Sequence, residues 1–171
     1  LLGRDLSVGE PFFNAAFTPF MVALALILPV GAMLAWKRGA IGRSLRGLVP
    51  VLVLAVALGL LAFAMQTGTS ALGPIGLALG AWVVFGALAD LWARTGRDGI
   101  GARLSRLTRL PRADWGKATA HLGLGVTLFA VAAMHSWKVE DIRVVQEGDS
   151  FPLGAYEVRL DKVEEVQGPN Y

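Results

Sequence analysis

Four long apolar stretches, set between segments that hold most of the arginines, constrain this chain more than any other feature. They run over 18–36, 48–65, 71–93 and 118–137. Crossing about 30 Å of hydrocarbon at about 1.5 Å per helical residue takes roughly 18–20 apolar residues, so each stretch is read as a transmembrane α-helix. The charge content supports lipid as the solvent: 17% of the residues are charged, against about 25% in a typical soluble domain. The fold class expected is mainly α, a polytopic membrane helix bundle followed by the start of a small extracytoplasmic β domain. Residues 1–17 read as an amphipathic segment at the outer interface, 18–137 as the membrane region, and 138–171 as the beginning of a periplasmic β domain.

The connecting segments give an orientation. Lys37, Arg38, Arg43 and Arg46 lie between the first two spans with no acid among them. Between the third and fourth lie Arg94, Arg97, Arg103, Arg106, Arg109, Arg112 and Lys117, opposed only by Asp98 and Asp114. The short link from Gln66 to Ser70 carries no charge. Positive loops stay in the cytoplasm, so both basic loops are expected there and both ends of this chain outside, in a bacterial inner membrane. The basic pI of about 9.7 is thus accounted for by topology, and nucleic acid is not an expected partner. Trp36, Trp92, Trp115 and Trp137 fall at predicted span ends, as an aromatic belt would.

Inside the spans, Pro29 with Gly31 after it marks a site for a bend. Gly73, Gly76, Gly80 and Gly86 populate the third span, and Gly76-x-x-x-Gly80 has the spacing that lets helices approach closely. Beyond Trp137 the character changes to eight acids and four bases. Tyr156, Val158 and Leu160 alternate with Glu157, Arg159 and Asp161, which is the pattern of a half-buried strand. Glu147-Gly148-Asp149-Ser150 and Pro152-Leu153-Gly154 are turn signals.

Candidates for chemistry are few. The chain has no cysteine, which removes thiolate ligands, a cysteine nucleophile and disulfides. No Gly-rich phosphate loop and no His-x-x-His spacing occurs. His121 and His135 both lie in the fourth span, where an ionisable residue is a functional-site hypothesis by default. His121 sits one turn inside the span in Ala120-His121-Leu122-Gly123-Leu124-Gly125. Gly123 and Gly125 remove bulk beside the imidazole, leaving room for a flat macrocycle whose iron a neutral ring nitrogen would ligate. The competing reading is a histidine that only hydrogen-bonds a neighbouring carbonyl. His135, fourteen residues later, returns within about 40° of the same face but lies at the outer interface. Asp90 is read as an interfacial i,i+4 ion pair with Arg94, and alternatively as a group at similar depth to His121, placed to hold its ring N–H.

The run Trp115-Gly116, Ala120-His121-x-Gly123, the apolar span after it and the closing Gly168-Pro169-Asn170-Tyr171 resemble the CcmF family, as does the opening Gly9-x-Pro11-Phe12-Phe13-Asn14. That family is the large membrane subunit of the bacterial cytochrome c haem lyase. The resemblance implies haem attachment to the Cys-x-x-Cys-His motif of apocytochrome c, with haem delivered by a haem chaperone and with other lyase subunits as partners. It further implies a resident b-type haem ligated by two histidines, one falling on His121 and the second outside this chain segment, with quinol as electron donor. The family's Trp-rich haem-presenting segment and flanking external histidines are absent here, so the chain is expected to be a C-terminal-half piece without catalytic residues of its own. Two other functions stay open on the residues: an electron-transferring membrane cytochrome b using His121, with His135 added in a two-haem version, and a haem-free scaffold or transporter piece.

Overall fold

The computed structural model describes residues 10–34, 41–68 and 71–165. Its element order is α1 (Glu10–Met33), α2 (Ile41–Met65), α3 (Leu72–Arg94), α4 (Ile100–Leu107), α5 (Arg112–Trp137), β1 (Ser150–Leu153) and β2 (Tyr156–Arg159). Four of these helices, α1, α2, α3 and α5, are long and apolar enough to cross a membrane.

The helices start earlier than hydropathy alone suggests. α2 begins seven residues and α5 six residues before the apolar blocks at 48 and 118. Arg43, Leu45 and Arg46 in α2 and Arg112, Ala113 and Lys117 in α5 are good helix formers, so these ends continue as helix ahead of the apolar blocks. Pro111 stands at the N-cap of α5 and Asp114 in its first turn, where an acid complements the helix dipole. α1 begins at Glu10, so 10–17, expected as an interfacial approach, continues directly into the first span. The Gly168–Tyr171 motif and Trp36 lie outside the described residues. α1 runs on through Pro29, and α2 through Pro50.

α3 is the hub. Half of its span is buried, against 11% for α1, 28% for α2 and 17% for α5. Its small residues are the reason, because each glycine admits a neighbouring helix. A Cβ on Gly80 would lie 2.7 Å from Phe129 N, one on Gly76 would lie 2.7 Å from the Ala132 Cβ, and one on Gly86 would lie 2.5 Å from the Pro29 Cβ. The close-packing spacing Gly76-x-x-x-Gly80 is therefore an α3–α5 contact, and Gly86 serves α1. On the other flank, Ala25 of α1, Leu48, Val51 and Ala55 of α2, and Ala81, Trp82 and Val83 of α3 form the main apolar core. Trp82 Nε1 donates to Leu26 O at 3.2 Å, which satisfies an indole N–H that lipid could not.

The outward faces remain apolar. Leu52, Val53, Leu60, Leu61 and Phe63 of α2 are all at least half exposed. In water such a patch would drive association; against acyl chains or further helices it costs nothing.

After α5 the chain turns polar and forms a two-stranded antiparallel hairpin with Phe151 opposite Val158 and Leu153 opposite Tyr156. Gly148 and Gly154 take positive φ, 92° and 62°, at the two predicted turns, where L side chains are disfavoured. Val158 is half-buried, but Tyr156 is 78% exposed, since one partner strand covers little of the alternating face. β2 stops at Arg159, one residue short of Leu160.

Candidate cofactor-binding site

Among the described residues one charged side chain is buried within a span, that of Asp90, and its ion pairs gather where α3 meets the start of α5. Asp90, 3% exposed, projects from the last turns of α3. Its carboxylate receives Lys117 Nζ at 2.6 Å and Arg94 Nε at 3.2 Å. Arg94 in turn reaches Asp114 Oδ1 at 2.8 Å, and Lys117 donates to Ala32 O of α1 at 3.3 Å. A carboxylate in a low-dielectric layer must be paired and hydrogen-bonded to be tolerated, and here two cations do so from two helices. The Asp90–Arg94 pair was readable from i,i+4 spacing. Lys117 and Asp114 were not, because their approach depends on how α5 is rotated against α3.

His121 lies one turn beyond Lys117 on the same face of α5. It is half-buried, and among the described residues its ring forms no hydrogen bond. Asp90 does not hold the imidazole; its oxygens are taken by Lys117 and Arg94. An imidazole with no committed partner retains a nitrogen lone pair for a metal.

The two glycines beside His121 have different surroundings. Gly123 is exposed, and a Cβ there would meet nothing within 4 Å. Gly125 is buried, and its Cβ would lie 2.8 Å from Val84 Cγ2 and 2.9 Å from Val84 N. Gly123 leaves an open surface next to the imidazole, whereas the space over Gly125 is filled by α3.

His135 stands at the other end of α5. It is exposed, with Nδ1 3.2 Å from Val131 O, the local carbonyl bond that a helical histidine commonly makes. It lines the mouth of an apolar cleft of about 500 Å³ between α1, α3 and α5, and His121 is not part of that cleft. Among the described residues no group of three or more His, Cys, Asp or Glu side chains converges on a metal position. The sequence has one other histidine, His135 in the last turn of α5, so a site at His121 would draw one histidine from this chain.

The chain is 51% identical over 98% of its length to cytochrome c-type biogenesis protein ccl1 of Rhodobacter capsulatus, and 40% identical over all of it to CycK of Rhizobium meliloti. It is 36% identical over 98% of its length to CcmF of Escherichia coli. The matched regions are 25%, 26% and 25% of those proteins, so the chain spans about a quarter of the length of the curated relatives it matches. No family model and no solved structure matches it. Along its whole length, the chain belongs to the CcmF family of cytochrome c-type biogenesis proteins.

Proposed function

We propose that this chain is part of the membrane subunit of a cytochrome c haem lyase, and that His121 is an axial ligand to a resident b-type haem. The observation that carries the assignment is the setting of His121: a half-buried, unpartnered imidazole beside the open Gly123, one turn from an ion network that has consumed the nearest carboxylate. The family name of the relatives supports the cytochrome c maturation role.

The residues fit the group. His121 offers a neutral nitrogen, Gly123 leaves the helix surface clear beside it, and the Asp90–Lys117 pair fixes the depth and rotation of α5. The second histidine comes from outside these residues. When bound, such a haem supplies a one-electron relay from a donor such as quinol to the substrate haem. The substrate is a second haem, brought by a haem chaperone, whose vinyl groups each take up a cysteine S–H of apocytochrome c to form a thioether; the iron must be ferrous for this. Other lyase subunits complete the assembly. The basic segments 37–46 and 94–117 face the cytoplasm of a bacterial inner membrane, which leaves the hairpin on the periplasmic side where the substrate cytochrome is.

A reduced-minus-oxidised optical spectrum of the full-length protein tests the assignment. The b-type bands should collapse in His121→Ala and persist in His135→Ala. Unchanged bands in His121→Ala would remove this residue from the site.

A further inference from the structure

The stretch 94–117, from the last residue of α3 into the first turns of α5, carries seven basic residues against two acids, and these bases are not used alike. Arg94 and Lys117 belong to the Asp90 network. Arg103 and Arg106 fold α4 onto the C-terminal end of α3. Arg103 donates to Trp92 O at 2.5 Å and to Thr95 Oγ1 at 3.0 Å, with its guanidinium 3.9 Å from the Trp92 ring centroid. Arg106 donates to Thr95 O at 3.1 Å and pairs with Asp98. They thereby satisfy carbonyls that the end of a helix leaves open. The remaining three, Arg97, Arg109 and Arg112, are exposed, and their guanidinium groups form no hydrogen bond or ion pair among the described residues.

α4 itself has two unlike sides. Ile100, Leu104 and Leu107 follow i, i+4, i+7 spacing and share one. Leu107 lines an apolar cavity of about 410 Å³ together with Leu88, Leu91, Trp92, Trp115 and Leu122. Ile100 and Leu104 are 71% and 51% exposed. Unpaired arginines therefore flank a short helix whose bare apolar side adjoins an apolar notch, and the two tryptophans place that notch near the end of the membrane-crossing helices.

We propose that α4 lies in the membrane interface and that this segment binds an anionic phospholipid, with Arg97, Arg109 and Arg112 facing the phosphate and an acyl chain entering the notch. Guanidinium groups match phosphate geometry, and amphipathic helices with basic flanks bind anionic leaflets. An acidic peptide is the poorer fit, because it would carry unsatisfied backbone amides into a notch with apolar walls.

Full-length protein in nanodiscs of phosphatidylcholine with or without phosphatidylglycerol tests this, with retained lipids counted by native mass spectrometry. The wild type should retain phosphatidylglycerol in preference to phosphatidylcholine. Each arginine changed to glutamine should lower that preference about fivefold, the equivalent of ~1 kcal/mol per surface cation, and the triple change should bring it close to parity. Phosphatidylglycerol brominated on its acyl chains should quench tryptophan fluorescence in the wild type, and less so in Trp92→Phe/Trp115→Phe. Equal retention of the two lipids by the wild type would overturn the proposal. So would an undiminished preference in the triple variant, or competition by inorganic phosphate that is indifferent to the acyl chain.

Discussion

The two ends of the α3–α5 pair are held by different physics. At the end near Trp137 the helices touch through the absence of side chains: Gly73 faces Ser136, Gly76 faces Ala132, and Gly80 faces the backbone of Phe129. At the other end they are held by charge, through Lys117–Asp90 and Arg94–Asp114. Glycine contact is steric and does not depend on protonation, so it fixes the distance between the helices. Ion pairing is directional, and it fixes rotation and depth. His121 stands just past the charged end, where α5 has both a set rotation and, at Gly123, an uncovered face. His135 sits at the steric end, exposed and tied to its own helix. Two histidines on one helix thus differ because the means of holding the helix differ.

The steric end should be the more costly to break. A methyl group at Gly80 would fall within 2.8 Å of Phe129 N, Cα and Cβ; two of these three are backbone atoms, which cannot rotate away. Gly80→Leu is therefore expected to force the helices apart at a cost of about 3 kcal/mol, the upper part of the range for overpacking. Gly125→Ala, against Val84 N at 2.9 Å, should cost about 1–2 kcal/mol. Denaturant unfolding of the full-length protein in micelles measures both. Wild-type stability for Gly80→Leu would mean that α3 and α5 do not meet as described.

Much of this was visible in residue order, and what was missed has a physical cause. Spans are read from hydropathy because lipid forces whole segments to be apolar, so all four helices were found. The Gly76-x-x-x-Gly80 contact and the Asp90–Arg94 pair follow from helical spacing alone. Turn glycines 148 and 154 were found because their positive φ leaves few alternatives. α4 was missed. Eight residues with Arg103 and Arg106 among them look like topogenic charge, and only their contacts with Thr95 and Trp92 show a helix packed on another. Lys117–Asp90 joins residues 27 apart, and no pattern in one helix reports its rotation against a second. The same blindness made Gly123 and Gly125 look equivalent.

The charged end should yield less. Asp90→Ala is expected to cost about 1–3 kcal/mol; breaking a fully buried pair costs more, but Arg94 and Lys117 side chains are 35% and 30% exposed and can recover water. The sharper measurement is the double-mutant cycle with Lys117→Met. If the pair couples the helices, the double variant will be more stable than the sum of the single losses predicts. Strict additivity would mean the two side chains are neighbours without energetic coupling. The cycle also reads on the site, since a rotated α5 should shift the bands assigned to His121 even where the fold survives.

The smallest effect on stability is expected where the surface is open. An added Cβ at Gly123 meets nothing within 4 Å, and replacing a helical glycine by alanine usually gains about 0.5–1 kcal/mol. Gly123→Ala should therefore hold or slightly raise stability, opposite in sign to Gly125→Ala two residues away. The bulkier Gly123→Leu separates the two explanations of that opening. With a flat group lying against this face, the side chain should weaken the b-type bands while unfolding stays near wild type. With another helix of the full-length protein lying there instead, stability and bands would fall together, as at Gly125, and the face beside His121 would be a packing surface rather than a cofactor wall.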